Sequence, residues 1–494
     1  MTTKSLIPDS AEPTIPVFCS STELTIFPTP ISIVRAANKQ ICLFLILLKH
    51  NNKSVACNPY KLSNPLKCFK LYIRFIFQNN SMNNWQIKAS LFLNYFVFAI
   101  LLNSVGTVIL QVQNNYGVTQ GAASILEAFK DLSIAIASFL VASYITRIGY
   151  KRSMLLALLL VIVACLFMPF IGGFAMTKVL FAVTGVSFAL IKVSVYATIG
   201  LVTSNKKDHA SFMNFIESFF MIGILAGYFI FGAFVDNNNP ASTSWLKVYY
   251  LLAAISALAF ILLLTSKLDE SSVKEVEGKS FIKEFEDMVA LAIRPLVLIF
   301  IVSAFFYVLI EQSIMSWLPT FNSQVLHLST RLSIQMASIL AISTAVGRFI
   351  AGFLLRKIHW LKVIIACLLL AAILVILVIP LASKIHINLI DSWLGAPFVA
   401  YVFPLIGLLI APVYPAINSV ILSSLPLRQQ GPMSGLIVIF SALGGTTGSI
   451  ITGHIFEAYG GQTAFYFSLI PIAILIVSLV FFNRLQKKAV PVSV

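Results

Sequence analysis

Charge is scarce in this chain: 11% of its 494 residues are Asp, Glu, Lys or Arg, against roughly 25% in soluble domains. Acids are rarest, 18 against 34 basic residues. With 59% of positions hydrophobic, a soluble globular protein is excluded. Cysteine pairs are also missing. Cys19, Cys42, Cys57, Cys68, Cys165 and Cys367 show no CxxC spacing, which speaks against a zinc or redox centre and for structural thiols. There is no GxxxxGK[ST] phosphate cradle and no HExxH or GxSxG constellation, so ATP-driven pumping and intramembrane hydrolysis lack their chemistry. No cofactor or metal is expected.

What the chain has in abundance is long apolar runs. Residues 1–81 stand apart as a poorly ordered amino-terminal extension, rich in Pro, Ser and Asn. Their longest run, ICLFLILL at 41–48, is too short to cross a bilayer and too far in for a signal peptide; translation from Met82 is an alternative start. Twelve runs follow, near 88–112, 119–145, 152–173, 177–203, 211–235, 245–266, 295–319, 331–355, 360–383, 393–424, 431–455 and 462–483. Each is long enough for a spanning helix, the one open-ended structure that bonds its own backbone in hydrocarbon. The expected organisation is a six-helix half over 82–266, a connector over 267–294, a second six-helix half over 295–483 and a tail over 484–494. Within the connector, Phe281, Phe285, Met288 and Val289 have the spacing of a helix lying on the membrane face.

The net charge of +16 would suit nucleic acid if the basic residues shared one water-facing surface. They punctuate the connections instead. Seventeen fall on the side of the central connector and tail, and four (Lys178, Lys247, Arg331, Lys384) on the other. This bias puts both termini in the cytoplasm of a multi-pass protein, and the compact connections suit a bacterial inner membrane. No nucleic-acid partner is expected, and the chain is read as a monomer in the lipid bilayer.

After the second run stands ASYITRIGYKRSM, and six runs later GRFIAGFLLRKIHWLK: a basic cluster follows a small-residue helix end at the same place in each half. Two six-helix pseudo-repeats with these turns resemble the major facilitator superfamily, whose loop between helices two and three reads roughly GxxxDRxGRR. The matching positions are Ala142, Thr146, Arg147, Gly149, Tyr150, Lys151 and Arg152; Thr146 stands where the family has an acid. The resemblance implies an all-α membrane protein of twelve transmembrane helices and a conformational role for Arg147, Gly149, Lys151, Arg152 and Arg348. Within the superfamily, FFYVLIEQSIMSWLPTF, AVGRFIAGFLLRKI and NFIESFFMIGILAGYF look like the fucose permease branch of sugar:proton symporters. That likeness implies a cavity at Glu311 and Gln312. LLNSVGTVILQ and ILEAFKDLSI fit the branch poorly, which leaves the solute open.

A charge at the centre of a spanning helix costs about 2.5–3.5 kcal/mol on insertion scales, so each one retained is a candidate functional residue. Glu127, Lys130 and Asp131 share one helical face, the acids about 12 and 18 Å from the outer end. An ion pair with Lys130 would still leave one acid over, and a carboxylate without a counter-charge in hydrocarbon can exchange protons near neutral pH. Lys192 lies about 16 Å from the inner end of the fourth run and Glu217 about 9 Å from that of the fifth, with Asn214 a turn away; pairing of Lys192 with Glu217 and direct handling of solute are both open. Glu311 has a hydrogen-bonded structural reading beside the functional one. Arg348 near the cytoplasmic end suits snorkelling or gating. Asn103 and Asn418 suit interhelical bonding or a cavity, and Trp317 an interface anchor. Most of the 40 phenylalanines are expected to face lipid.

These residues favour a secondary transporter taking up a small polar, sugar-like solute by alternating access. Coupling to protons would run through Glu127, Asp131, Glu217 or Glu311. Drug or metabolite efflux is the first alternative, although the Gly223, Gly227 and Gly232 helix lacks the Gly-Pro pair of the antiporter motif; a non-transporting receptor is the second.

Overall fold

The computed structural model describes residues 85–202, 206–266, 268, 270, 281–384, 389–423, 425 and 427–489; the amino-terminal extension and its ICLFLILL run lie outside them. The described chain is helical nearly throughout. In order come α1 (Trp85–Asn103), α2 (Val105–Tyr116), α3 (Gln120–Ala123), α4 (Ile125–Ile148), α5 (Tyr150–Ile171), α6 (Gly173–Val202), α7 (Lys206–Phe234) and α8 (Val248–Thr265). The connector contributes α9 (Phe281–Ala292). The rest is α10 (Pro295–Gln324), α11 (Thr330–Met336), α12 (Ser338–Lys357), α13 (Trp360–Val378), α14 (Phe398–Val402), α15 (Ile406–Ile410), α16 (Val413–Ser423), α17 (Leu427–Tyr459), α18 (Gly461–Tyr466) and α19 (Leu469–Ala489).

Eleven described helical segments are long and apolar enough to cross a membrane. The second run adds α4, whose 24 residues reach about 36 Å at the rise of an α-helix, more than the ~30 Å hydrocarbon core. Twelve crossings in two sets of six therefore stand as the sequence led one to expect, each within a few residues. Their interruptions have local causes. The first crossing breaks at Ser104, whose hydroxyl turns back to the Leu101 carbonyl at 2.8 Å. The tenth breaks into α14, a 3₁₀ turn at Phe403–Leu405, α15 and α16 because Pro404, Pro412 and Pro415 cannot donate backbone hydrogen bonds. Gly149 parts α4 from α5 with φ of +91°, a conformation that favours glycine.

Packing distinguishes two apolar faces that composition does not. On α5, Met154, Ala157, Leu158, Val161, Cys165 and Met168 are buried, whereas Leu156, Leu159, Val163, Leu166 and Phe170 are exposed at the same helical period. The phenylalanines divide likewise: Phe98, Phe181, Phe231, Phe300, Phe321, Phe403 and Phe465 are fully buried, whereas Phe129, Phe167, Phe170 and Phe229 are exposed. In α9, Met288 and Leu291 are buried but Val289 is 46% exposed; the packed face is narrower than its spacing suggested, and it meets α17. Phe281 and Phe285 belong to side chains outside the described set.

Hydrogen bonds between the first and last six helices gather at the end away from the connector, called the distal end below. Gln113 donates to Thr320 at 3.4 Å and accepts from Gln324 at 3.0 Å, and Gln120 donates to Gln324 at 3.1 Å. The Gly121 amide donates to Glu457 at 2.7 Å. Arg331 donates to the carbonyls of Gly232 at 3.1 Å and Val235 at 2.8 Å.

Candidate functional site: three charged clusters in the bundle

The first cluster sits at the inner edge of this seam. On α4, Lys130 bonds Glu127, one helical turn before it, and also faces Asp131 at 3.4 Å. All three are buried. Ser316 of α10 donates to the other Glu127 oxygen at 2.9 Å, joining the two sets of helices through a carboxylate. Gly445 of α17 packs against Asp131 so tightly that a Cβ there would lie 2.5 Å from Oδ2 and 3.2 Å from Gln312 Cγ. Gln312 therefore belongs to this seam, though its neighbour Glu311 turns elsewhere. One ammonium contacts both carboxylates, so the triplet keeps one negative charge in excess, as the spacing led one to expect.

The second cluster lies among α1, α6 and α7. Tyr196 donates to Glu217 at 2.7 Å, and its ring stands 6.3 Å from that of Tyr95. Among the described residues Lys192, one turn before Tyr196, makes no close ion pair with Glu217, although that carboxylate acts on it electrostatically. Its ammonium lies 5.8 Å from the Phe188 ring. The side chain is exposed. Asn214 is among the side chains outside the described set.

The third cluster mirrors the second in the last six helices. Tyr307 donates to Glu311, one turn on, at 2.8 Å and stacks on Tyr414 with ring centroids 5.4 Å apart; Tyr414 hydroxyl meets Ser441 at 3.0 Å. Arg348 Nη2 faces Glu311 at 3.7 Å, an ion pair without a hydrogen bond. Its side chain turns into the bundle, correcting the expected snorkelling. Arg348 Nε and Asn418 Oδ1 are buried without a partner.

Other candidates have structural positions. Asn103 donates to its own helix at Ala99, 2.8 Å away. Trp317 is fully buried, bonded to the Ser449 carbonyl at 3.1 Å and set against Phe456; it is a core residue, not an interface anchor. In the basic loop, Ala142, Thr146 and Arg147 have side chains outside the described set, and Arg152 is exposed. Glu270 of the connector accepts from the Lys151 amide at 2.6 Å, at the start of α5, and Lys151 Nζ bonds the Ser266 carbonyl at 2.6 Å. A carboxylate on a helix N-terminus is favourable. Glu270→Ala is expected to lower stability by about 1 kcal/mol, in the range of lost helix caps. Thermal unfolding of the purified protein checks this, and an unchanged midpoint would remove Glu270 from the account.

Sequence reading missed Ser316, Tyr196, Tyr307, Tyr414 and Glu270. Two had a usable signal: Tyr196 and Tyr307 each lie four residues from a retained charge, the spacing that brings side chains together on a helix.

Two sets of six membrane-spanning helices, joined by polar contacts at one end and carrying charges within the bundle, have the organisation of a membrane transporter. The profile of the Major Facilitator Superfamily matches residues 91–448, and the chain belongs to that family. It is a multi-pass membrane transporter of a small-molecule substrate and not an enzyme. The chain is similar to a protein described as a TsgA homolog from Buchnera aphidicola subsp. Baizongia pistaciae (strain Bp), 24% identical over 408 residues that cover 80% of this chain and 95% of the relative. Among solved structures, the nucleoside transporter NupG is 15% identical with a TM-score of 0.62, covering 81% of this chain and 99% of its own. The E. coli fucose:proton symporter FucP is 15% identical with a TM-score of 0.52, covering 81% and 99%. At these identities the likeness is one of fold.

Proposed function

We propose that this transporter imports a small, hydroxyl-rich solute together with protons. It acts as a monomer in a bacterial inner membrane with both termini in the cytoplasm. Residues 82–266 and 295–483 rock against each other, 267–294 connect them and 484–494 form the tail. Glu127, Lys130, Asp131, Lys192, Asn214, Glu217, Glu311, Gln312, Asn103 and Asn418 mark the path, and Arg147, Gly149, Lys151, Arg152 and Arg348 serve the change of state. The observation that carries this reading is the seam at Glu127, Lys130 and Asp131. The distal closure ends on buried carboxylates, one bonded to Ser316 across the interface, so their occupancy by protons can bias whether the halves stay joined. The solutes named for NupG and FucP are also hydroxyl-rich, which supports the class.

The test is uptake of labelled hexoses and other small polar solutes into proteoliposomes under an inward proton gradient, with Asp131→Asn and Glu311→Gln beside the wild type. Gradient-stimulated accumulation lost at least tenfold in one variant is the expected result. Accumulation indifferent to the gradient overturns coupling, and efflux of cationic dyes without uptake overturns import.

A further inference from the structure

Among the described residues one amino acid other than glycine has a positive φ, His327 at +54°. It stands in the distal turn between α10 and α11. Side chains with a Cβ are disfavoured in that conformation, which persists only where the surroundings impose it. Ile390 imposes it here: its amide donates to the His327 carbonyl at 3.0 Å, and its carbonyl accepts from the Ser329 amide at 2.8 Å. Glycine would meet the same backbone demand without strain, so the turn does not account for an imidazole at this position. The imidazole lines a cavity of about 380 Å³ between the two sets of helices, a volume within the roughly 300–1,000 Å³ of small-molecule sites. Asn114 and Asn237 line it from the first set, and Ser323, Ser329 and Thr330 join His327 from the last. Asn237 and Ser329 are committed, both donating to Asp391 Oδ1. Asn114 reaches Thr330 only at 3.4 Å, a long hydrogen bond. The Ser323 hydroxyl and the His327 ring have no hydrogen-bond partner among the described residues.

We propose that this cavity is an outer binding site for an uncharged, polyhydroxy solute, anchored by the His327 imidazole and occupied while the distal seam is closed. This rests on the uptake reading above, in which the distal end faces the medium that solute arrives from, and it narrows the solute class. No Asp, Glu, Lys or Arg lines the cavity, so a charged solute would leave water without meeting a counter-charge, which is costly. Hydroxyls have no such difficulty. Each both donates and accepts, as do the imidazole, amide and hydroxyl groups that face it. Asn114 and His327 belong to opposite sets of helices, so one solute touches both halves. The strain at His327 is then retained for binding, at a position where stability alone favours glycine.

The experiment uses the full-length protein in proteoliposomes with Leu389→Cys as reporter. Leu389 lines the cavity and is 75% exposed, so a membrane-impermeant maleimide reaches it, and the wild type gives the background from native cysteines. Glucose, galactose, xylose, mannitol and glycerol are the probes, with glucuronate as the charged control. The expected result is that at least one neutral probe slows labelling roughly threefold or more, that glucuronate does not, and that adding His327→Gly abolishes the protection, as loss of a hydrogen-bonding anchor requires. Glycine fits the backbone at this position, so the His327→Gly protein melts no lower than its parent, which separates lost binding from lost folding. Its KM for uptake of the protecting solute rises roughly threefold or more while the maximal rate changes little. Labelling indifferent to every neutral probe, equal protection by glucuronate, protection that survives His327→Gly, or a melting temperature lowered by that substitution overturns the proposal. Protection without accumulation overturns import and leaves the site standing.

Discussion

Lys130→Met removes the single cation between Glu127 and Asp131, and a severe loss of folded protein from the membrane is expected. Both carboxylates are buried, and Ser316 alone cannot compensate two negative charges. Breaking a buried ion pair by deleting one partner costs about 3–5 kcal/mol, roughly two to four orders of magnitude in the folded ratio. Neutralising the whole set tests the cause. The triple variant Lys130→Met, Glu127→Gln, Asp131→Asn leaves no stranded charge and is expected to recover most of the stability while abolishing proton-driven uptake. Membrane abundance and the melting temperature of the purified variants are the measurements. A Lys130→Met protein as stable as the wild type would show that the triplet is not held by its shared ammonium.

The second large effect lies in α17, where Gly444, Gly445 and Gly448 separate two functions of one glycine stripe. Gly448 packs on the Leu309 carbonyl and lies with its would-be Cβ 2.9 Å from Ser313 Oγ; Gly444 packs on the Phe305 carbonyl. Backbone carbonyls cannot move aside, and close approach through small residues is how helices pack in membranes. Gly448→Val is therefore expected to cost at least the 1–3 kcal/mol or so of an overpacked core, read as a melting temperature lowered by several degrees. Gly445 faces Asp131 across the seam instead. Gly445→Ala is expected to spare the fold of the last six helices and loosen distal closure, measured as faster labelling of Gln113→Cys by a membrane-impermeant thiol reagent. Labelling at the wild-type rate would show that the seam tolerates the methyl group.

Much of the architecture was legible in the chain. Helices in hydrocarbon have to satisfy their own backbone, so twelve apolar runs of spanning length identify twelve crossings. Proline marks the broken tenth crossing as surely as it would in water. The charged residues were legible because hydrocarbon makes each retained charge expensive, and Glu127, Lys130, Asp131, Lys192, Glu217, Glu311 and Arg348 all enter the three clusters. Their partners were less visible. Tyrosine carries no such penalty, so Tyr196 and Tyr307, which bond Glu217 and Glu311, are marked only by standing four residues from a retained charge. Trp317 misled for a related reason: near a helix end an indole serves an interface or a core equally well, and only its contacts with Ser449 and Phe456 distinguish them.

By itself, then, the chain determined the number of crossings, their boundaries within a few residues, their repeat and the residues whose charge needs an explanation. Which face of each helix meets protein was decided by tertiary structure alone. In α5 the exposed Leu159 and the buried Leu158 are the same residue type, because lipid tails and a protein interior are equally apolar and leave no periodic signature. The same holds for the charges. Whether Glu127 meets Ser316, and whether Lys192 pairs with Glu217, depends on distances between helices that no spacing along one helix contains.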